Sequence, residues 1–300
     1  TMTPNELFPQ ASVATKNLEL TPQLIHQKCS HFHYERIEHL AKHELITGLP
    51  KNLPKMRHPC PICLQCKSKK KNRQPNYDYS AYSPGEYIFV DFAFMPKPSI
   101  RGFTSFLSIK DSVTNYTWTF PCRNKRPPLD IMSYFIAILK KENREIKNVR
   151  VDEDGALAQS TEFCKLIQSH DIVLHTTGGF DLSKNGKAES LNKVMKHAVL
   201  TALVNADLPL DFWCFALQHS NHTIRNLSLN FQKTKTAREA WTNKKPAWHE
   251  FRIPFCDIYV HHKDSPIGSA ERHTFLAFGP TTSIAYYWDQ KSKTVKLGSH

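Results

Sequence analysis

Apolar periodicity divides the chain into three textures. From about Gly85 the apolar residues come in strand-like runs, Tyr87–Met95, Phe103–Lys110 and Asn115–Pro121, the last two joined by a turn at Asp111-Ser-Val-Thr. Pro127-Pro128 then opens a predicted helix over Pro128–Glu142, in which Ile131, Phe135, Ile138 and Leu139 form the buried side. A strand at Asn148–Asp152, a helix at Ser160–His170, a strand at Ile172–Thr176 and helices at Gly186–Asn205 and Pro209–Asn226 complete a β-β-β-α-β-α-β-α-α series. That order predicts an α/β domain, a mixed sheet with helices on both sides.

Ahead of it, residues from about 20 to 72 are rich in His and basic residues, with a helical pattern around Tyr34-Glu-Arg-Ile-Glu-His-Leu-Ala-Lys-His. The stretch Gln74–Pro84, with two prolines among Tyr, Asn and Ser, reads as a linker. Behind the core, Phe255–His261, Thr274–Gly279, Ile284–Trp288 and Thr294–Gly298 alternate with turn residues and predict a small β-barrel. The expected division is therefore 20–72, 80–240 and 245–300.

Composition agrees with a folded protein: 40% of residues are hydrophobic, and 19 Pro against 10 Gly indicate several stiff connections. No apolar run approaches the roughly 18 residues that span a bilayer, and no basic region followed by an apolar core opens the chain. The expectation is a soluble, unsecreted protein with no membrane partner; starting at Thr1, the chain fits a piece of something longer. The net charge of +13 is unevenly spread. Residues 1–76 hold 12 Lys/Arg against 5 Asp/Glu, residues 77–232 hold 17 against 16, and residues 233–300 hold 11 against 6. Basic ends around a near-neutral middle suit polyanion binding, because Lys and Arg gain affinity for nucleic acid by releasing its condensed counterions. The plainer alternative is solvated charge that keeps the surface soluble.

Three of eight cysteines sit in Cys60-Pro-Ile-Cys63-Leu-Gln-Cys66. Clustered thiols near histidines in an unsecreted chain favour metal over disulfide. His26 and His31, then 28 intervening residues, then Cys60 and Cys63 supply two imidazoles and two thiolates, the donors of a closed tetrahedral Zn²⁺ site. A region of about 50 residues builds little core of its own, so a metal staple is plausible. His39 and His43, four apart on a predicted helix, are rival ligands, and Cys66 is a spare third thiol. The remaining five cysteines, scattered among apolar neighbours, are expected to be buried and inert.

Three acids carry the other chemistry. Asp91 stands inside the apolar run Tyr87-Ile-Phe-Val-Asp-Phe-Ala-Phe, Asp152 follows Asn148-Val-Arg-Val, and Glu189 follows Asn185-Gly-Lys-Ala. A carboxylate in an apolar strand is costly to bury unpaired, so three at separate places suggest one shared divalent cation site, the chemistry of phosphoryl transfer. Asp154 shares a strand face with Asp152 and competes for its role. Asp111 is better explained as a turn residue. Glu189, Lys193, Lys196 and Leu200 follow helical spacing and share a stripe, so the two lysines are placed to hold DNA phosphates; a solvent-exposed Glu–Lys pair is the bland alternative.

These residues together resemble the integrase of a copia-type long-terminal-repeat retrotransposon, a relative of retroviral integrases. Ile25-His26-Gln-Lys-Cys-Ser-His31 resembles that family's Trp-His-x-x-x-x-His, and Cys60-Pro-Ile-Cys63-Leu-Gln-Cys66-Lys67 its Cys-x-x-Cys-x-x-Gly-Lys. Asp91, Val151-Asp152-Glu-Asp-Gly155 and Asn185-Gly-Lys-Ala-Glu189 match the D,D-35-E signature, with one extra residue before Glu189 and Leu182-Ser-Lys184 in place of Pro-Gln-Gln. The resemblance implies an RNase H-like core between a His₂Cys₂ zinc module (His26, His31, Cys60, Cys63) and a small SH3-like barrel. It also implies Mg²⁺ or Mn²⁺ at Asp91, Asp152 and Glu189, and a homo-oligomer acting on double-stranded DNA, both donor ends and target. DNA contacts are expected at Asn185, Lys193, Lys196, Lys67, Lys69, Lys70 and Lys71. The expected activity is DNA strand transfer, in the nucleus of a eukaryotic host or within cytoplasmic element particles. The alternatives are a non-catalytic DNA-binding derivative and a hydrolytic nuclease with the same metal site.

Overall fold

Along β1 (Tyr87–Phe94) side chains alternate between two faces, and each face meets a different set of helices. Ile88, Val90 and Phe92 pack with Met132, Phe135 and Leu139 of α4 (Leu129–Lys141) and Phe163 and Ile167 of α5 (Thr161–Ser169). Ala93, with Phe106 beside it, packs against Met195 and Val199 of α6 (Gly186–Asn205) and Trp213 and Phe215 of α7 (Trp213–Leu227). In this computed structural model the described residues are 20–66, 78–124, 126–152, 155–176, 186–261, 270–279 and 284–299, with backbone alone at 186–190, 261, 270 and 299.

The sheet runs β3-β2-β1-β4-β5. β2 (Ser105–Asp111) pairs antiparallel with β1 and with β3 (Thr117–Cys122), whereas β4 (Asn148–Val151) and β5 (Val173–Thr176) continue it in parallel. Three antiparallel strands extended by two parallel ones, with helices on both faces, form an RNase H-like domain. The Asp111 carboxylate accepts hydrogen bonds from the Thr114 N–H (2.7 Å), the Thr114 hydroxyl (2.6 Å) and the Gly85 N–H (2.8 Å), so it closes the β2–β3 turn.

Element ends follow local chemistry. Ser160 caps α5 by accepting from the Phe163 N–H at 3.2 Å. The single helix expected over Pro209–Asn226 is instead a 3₁₀ turn, Leu210–Phe212, leading into α7. A short helix α8 (Ala237–Thr242), not foreseen from the sequence, buries Trp241 beneath the Arg144 guanidinium, 3.6 Å from the ring centre. Residues 78–84 also depart from a plain linker: Tyr79 is buried against Tyr87, Phe89 and Phe231.

Of the amino-terminal helices α1 (Pro22–Lys28), α2 (Tyr34–Lys42) and α3 (Pro61–Cys66), the first two and the turn after α2 build most of one buried cluster, but not all of it. Ile25, Ile37 and Leu40 share it with Leu227, Leu229 and Phe251 from the far part of the chain. Thr47 adds a backbone clasp, donating to Pro246 O (2.9 Å) and accepting from the Trp248 N–H (2.8 Å). The carboxy-terminal strands β6 (Asp257–His261), β7 (Ala270–Phe278), β8 (Ile284–Asp289) and β9 (Thr294–Ser299) form an antiparallel meander consistent with an SH3-like unit. Leu276 and Ala277 of β7 join the α6–α7 core.

Candidate active site and metal centre

The parallel register of β1 and β4 aligns Ile88 with Val149 and Phe89 with Arg150. Two residues further on, the same register sets Asp91 level with Asp152, on strands whose usual spacing is about 4.8 Å. Burial pushes the half-buried Asp91 carboxyl above its ordinary range, and the Asp152 charge adds to the rise. Hydrogen bonds from the Phe92 N–H and Asn192, together with the Lys196 charge, pull the other way without prevailing. Two facing carboxylates, one of them desolvated, are oxygen donors suited to a hard divalent cation, which would relieve both burial and repulsion.

Asn192 is held in turn. The Ser108 hydroxyl donates to Asn192 Oδ1 at 2.7 Å, which leaves the amide nitrogen for Asp91, and both residues are buried. Ser108 is the cross-strand partner of Asp91 on β2, so strand and helix grip one carboxylate from two sides. Glu189 precedes Asn192 by three residues and Lys196 by seven, and helical phase therefore puts position 189 on the stripe of α6 that faces Asp91. The Glu189 side chain itself lies outside the described residues, as do Asn185, Lys67, Lys69, Lys70, Lys71 and the rival Asp154. Lys193, Lys196 and Leu200 line the exposed border of that stripe.

Gly155 shapes the turn after Asp152. Its N–H donates to Asp152 O at 3.1 Å, and a Cβ there would come within 3.0 Å of that oxygen and 3.3 Å of Asp152 Cβ. A side chain at 155 would push the carboxylate out of register.

The second centre gathers His26, His31, Cys60 and Cys63, one ligand atom from each lying within 4.8 Å of the others. His26 Nε2 is 3.1 Å from Cys63 Sγ, and His31 Nδ1 is 3.4 Å from Cys60 Sγ and 3.8 Å from Cys63 Sγ. Tetrahedral Zn²⁺ with its usual bond lengths sets nitrogen and sulfur about 3.5 Å apart, so donor type and spacing both fit zinc. Ser30 (φ 49°) and His31 (φ 57°) are consecutive left-handed residues after α1, and they fold His31 back to within 4.9 Å of the His26 ring. His39 and His43 lie side by side, 4.3 Å between ring centres, but neither they nor Cys66 belong to this group. Of the five scattered cysteines, Cys29, Cys122 and Cys214 are buried as expected, whereas Cys164 and Cys256 are only half-buried; burial pushes the Cys122 and Cys256 thiols up to about 11.

No family model matches the chain. It is 24% identical over 250 residues to the retrovirus-related Pol polyprotein from transposon TNT 1-94 of Nicotiana tabacum, a match covering 81% of this chain and 18% of that protein. It is 23% identical over 202 residues to the counterpart from transposon RE2 of Arabidopsis thaliana, covering 66% of this chain and 14% of the relative. The chain is thus similar in sequence to part of retrotransposon Pol polyproteins. It spans less than a fifth of the length of these relatives. Among solved structures it is similar to a chain of the simian T-cell lymphotropic virus intasome in complex with PP2A regulatory subunit B56 gamma, with TM-score 0.40 and 14% identity over 73% of this chain and 80% of that one. It is also similar to the HTLV-2 integrase catalytic core domain in complex with magnesium, with TM-score 0.38 and 17% identity over 52% of this chain and 96% of that one.

Sequence reasoning missed Asn192 and Ser108. Neither contrasts with its neighbours as an acid in an apolar run does. The signal available was the position of Asn192, three residues after Glu189 on the same helical stripe.

Proposed function

We propose that this chain is the integrase segment of a retrotransposon Pol polyprotein, a Mg²⁺- or Mn²⁺-dependent polynucleotidyl transferase that joins donor DNA ends to target DNA. The observation that carries the reading is the level alignment of Asp91 and Asp152 on adjacent parallel strands, with the Asn192–Lys196 stripe of α6 against Asp91. Asp91, Asp152 and Glu189 are the residues that would hold the divalent cations. When bound, such cations activate the attacking 3′-hydroxyl and stabilise the leaving oxygen at phosphorus.

The chain's own groups have separate tasks. Asn192, fixed by Ser108, keeps the Asp91 carboxylate aimed into the site. Lys193 and Lys196 hold the phosphates of the donor end, with Asn185 beside it, while Lys67, Lys69, Lys70 and Lys71 bind flanking DNA. The zinc module (20–72), catalytic core (80–240) and carboxy-terminal unit (245–300) act as a homo-oligomer on DNA, in the nucleus when the source is eukaryotic.

Incubation of purified protein with a labelled blunt duplex, Mg²⁺ and plasmid tests the reading. Joined product supports strand transfer, nicking alone supports hydrolysis, and retardation without chemistry supports a binding protein. Asp152→Asn is expected to abolish joining while DNA retardation stays within a few-fold, since metal chemistry and counterion release are separate terms. Retained joining by that variant moves the role to Asp154.

A further inference from the structure

His39 and His43 stand outside the zinc cluster, and both are exposed, one within α2 and one at its end. Residues four apart on a helix lie one above the other, and here the two ring centres are 4.3 Å apart with their planes 47° from parallel. The helix holds that spacing through His43. The His43 N–H still donates to His39 O at 3.1 Å, after which Glu44 turns left-handed (φ 51°) and the Leu45 N–H closes onto Leu40 O at 2.9 Å. On the opposite side Ile37, Leu40 and Ala41 are fully buried in the core shared with Leu227 and Phe251. The pair therefore projects from a fixed platform.

Two imidazoles are nitrogen donors that suit Ni²⁺, Cu²⁺ and Zn²⁺, whereas Mg²⁺ prefers oxygen. Nitrogens bound side by side to one such ion stand about 3 Å apart, within reach of rings already in contact. Desolvation, then the charges of His43, Arg36 and Lys42, hold His39 below its ordinary pKa, so its lone pair carries no proton at neutral pH. The same Arg36 and Lys42 repel a dication, which restricts the pair to ions with strong affinity for nitrogen. Those are Ni²⁺ and Cu²⁺, at the top of the divalent series. Among the described residues no third His, Cys, Asp or Glu gathers with the pair. Exposure leaves the remaining positions to water, so this site is open where the zinc cluster is closed.

We infer that His39 and His43 form a second transition-metal site, a two-nitrogen clamp for Ni²⁺ or Cu²⁺ that is separate from the zinc cluster and from the acidic pair. A bound ion ties the last turn of α2 to the one before it. The inference goes beyond the DNA reading and stands or falls without it.

Calorimetric titration of the zinc-loaded full chain with Ni²⁺ tests it, nickel being chosen because it leaves thiols unoxidised. Wild-type protein is expected to take up one saturating equivalent while its zinc content stays constant. His39→Asn and His43→Asn are each expected to weaken that binding by about a hundredfold, as the loss of one arm of a chelate does, and the double variant to lose no more. His33→Asn, at an exposed histidine just before α2, is expected to leave it unchanged. Unaltered melting profiles without nickel show that the variants are folded. Nickel should also slow amide exchange in the last turn of α2 in wild type and in none of the clamp variants. Absence of a saturating equivalent in wild type overturns the proposal, as does uptake matched by zinc release, or a loss from His33→Asn as large as that from His39→Asn.

Discussion

Asp91 is stabilised as a carboxylate by too little of its own surroundings, and that deficit is what makes it informative. Its raised pKa means that ionisation weakens the fold: the stabilising contribution is complete below the unfolded value and is lost as the pH rises through the folded one. Asp91→Asn, measured without added divalent cation, is therefore expected to melt above wild type at pH 7, with the advantage shrinking toward pH 4. About 1 kcal/mol corresponds to roughly 2–4 °C in a protein of this size. Added Mg²⁺ should raise the wild-type melting temperature and leave the variant unmoved. Asn192→Ala is expected to reduce joining roughly ten- to hundredfold, the usual cost of losing a group that orients a metal ligand, with little change in DNA affinity. Steady-state joining and retardation on one preparation check it. Asp91 and Asp152 were legible because an acid in an apolar run is conspicuous. Their side-by-side register was not, because pairing between β1 and β4 is decided across some 60 residues of intervening chain.

At the scale of elements, α7 is buried on nearly every side and carries two histidines with no room for charge. Burial lowers His219 to about 4, against an opposing hydrogen bond with the Arg252 backbone and with a smaller push from the Arg252 charge, and lowers His222 well below its ordinary value, with the Arg225 charge adding to that shift. A lowered histidine gives stability that is present above 6.5 and lost as the pH falls through its folded value. The protein should therefore lose stability steeply between about pH 6.5 and 4, and His219→Leu should flatten that limb in pH-dependent urea unfolding. An unchanged slope would show that His219 does not couple protonation to unfolding. The long helices could be read from apolar spacing, whereas the six-residue α3 and α8 could not, because so short a segment offers too few turns for a periodicity. Trp241 makes the point: its burial depends on Tyr116 and Arg144, which are remote in sequence.

Across the whole molecule, cores are shared between regions that differ in sequence texture. Phe251, 1% exposed, packs with Ile25 and Ile37 although more than 200 residues separate them. Phe251→Ala is expected to destabilise by about 3–5 kcal/mol and to speed amide exchange in α1 and α2 more than in β1. Uniform acceleration would mean that the amino-terminal helices do not open as a unit. Texture showed where character changes along the chain but gave no sign of this shared packing, since contacts between distant apolar residues leave no local pattern.

The central claim is that the acids at the ends of β1 and β4 and on α6 form one divalent cation site. Anomalous diffraction from crystals soaked in Mn²⁺ tests it most directly. The account predicts a manganese peak about 2.1 Å from carboxylate oxygens of both Asp91 and Asp152, with Glu189 turned toward it. Occupied manganese elsewhere, with none between those two aspartates, would contradict it.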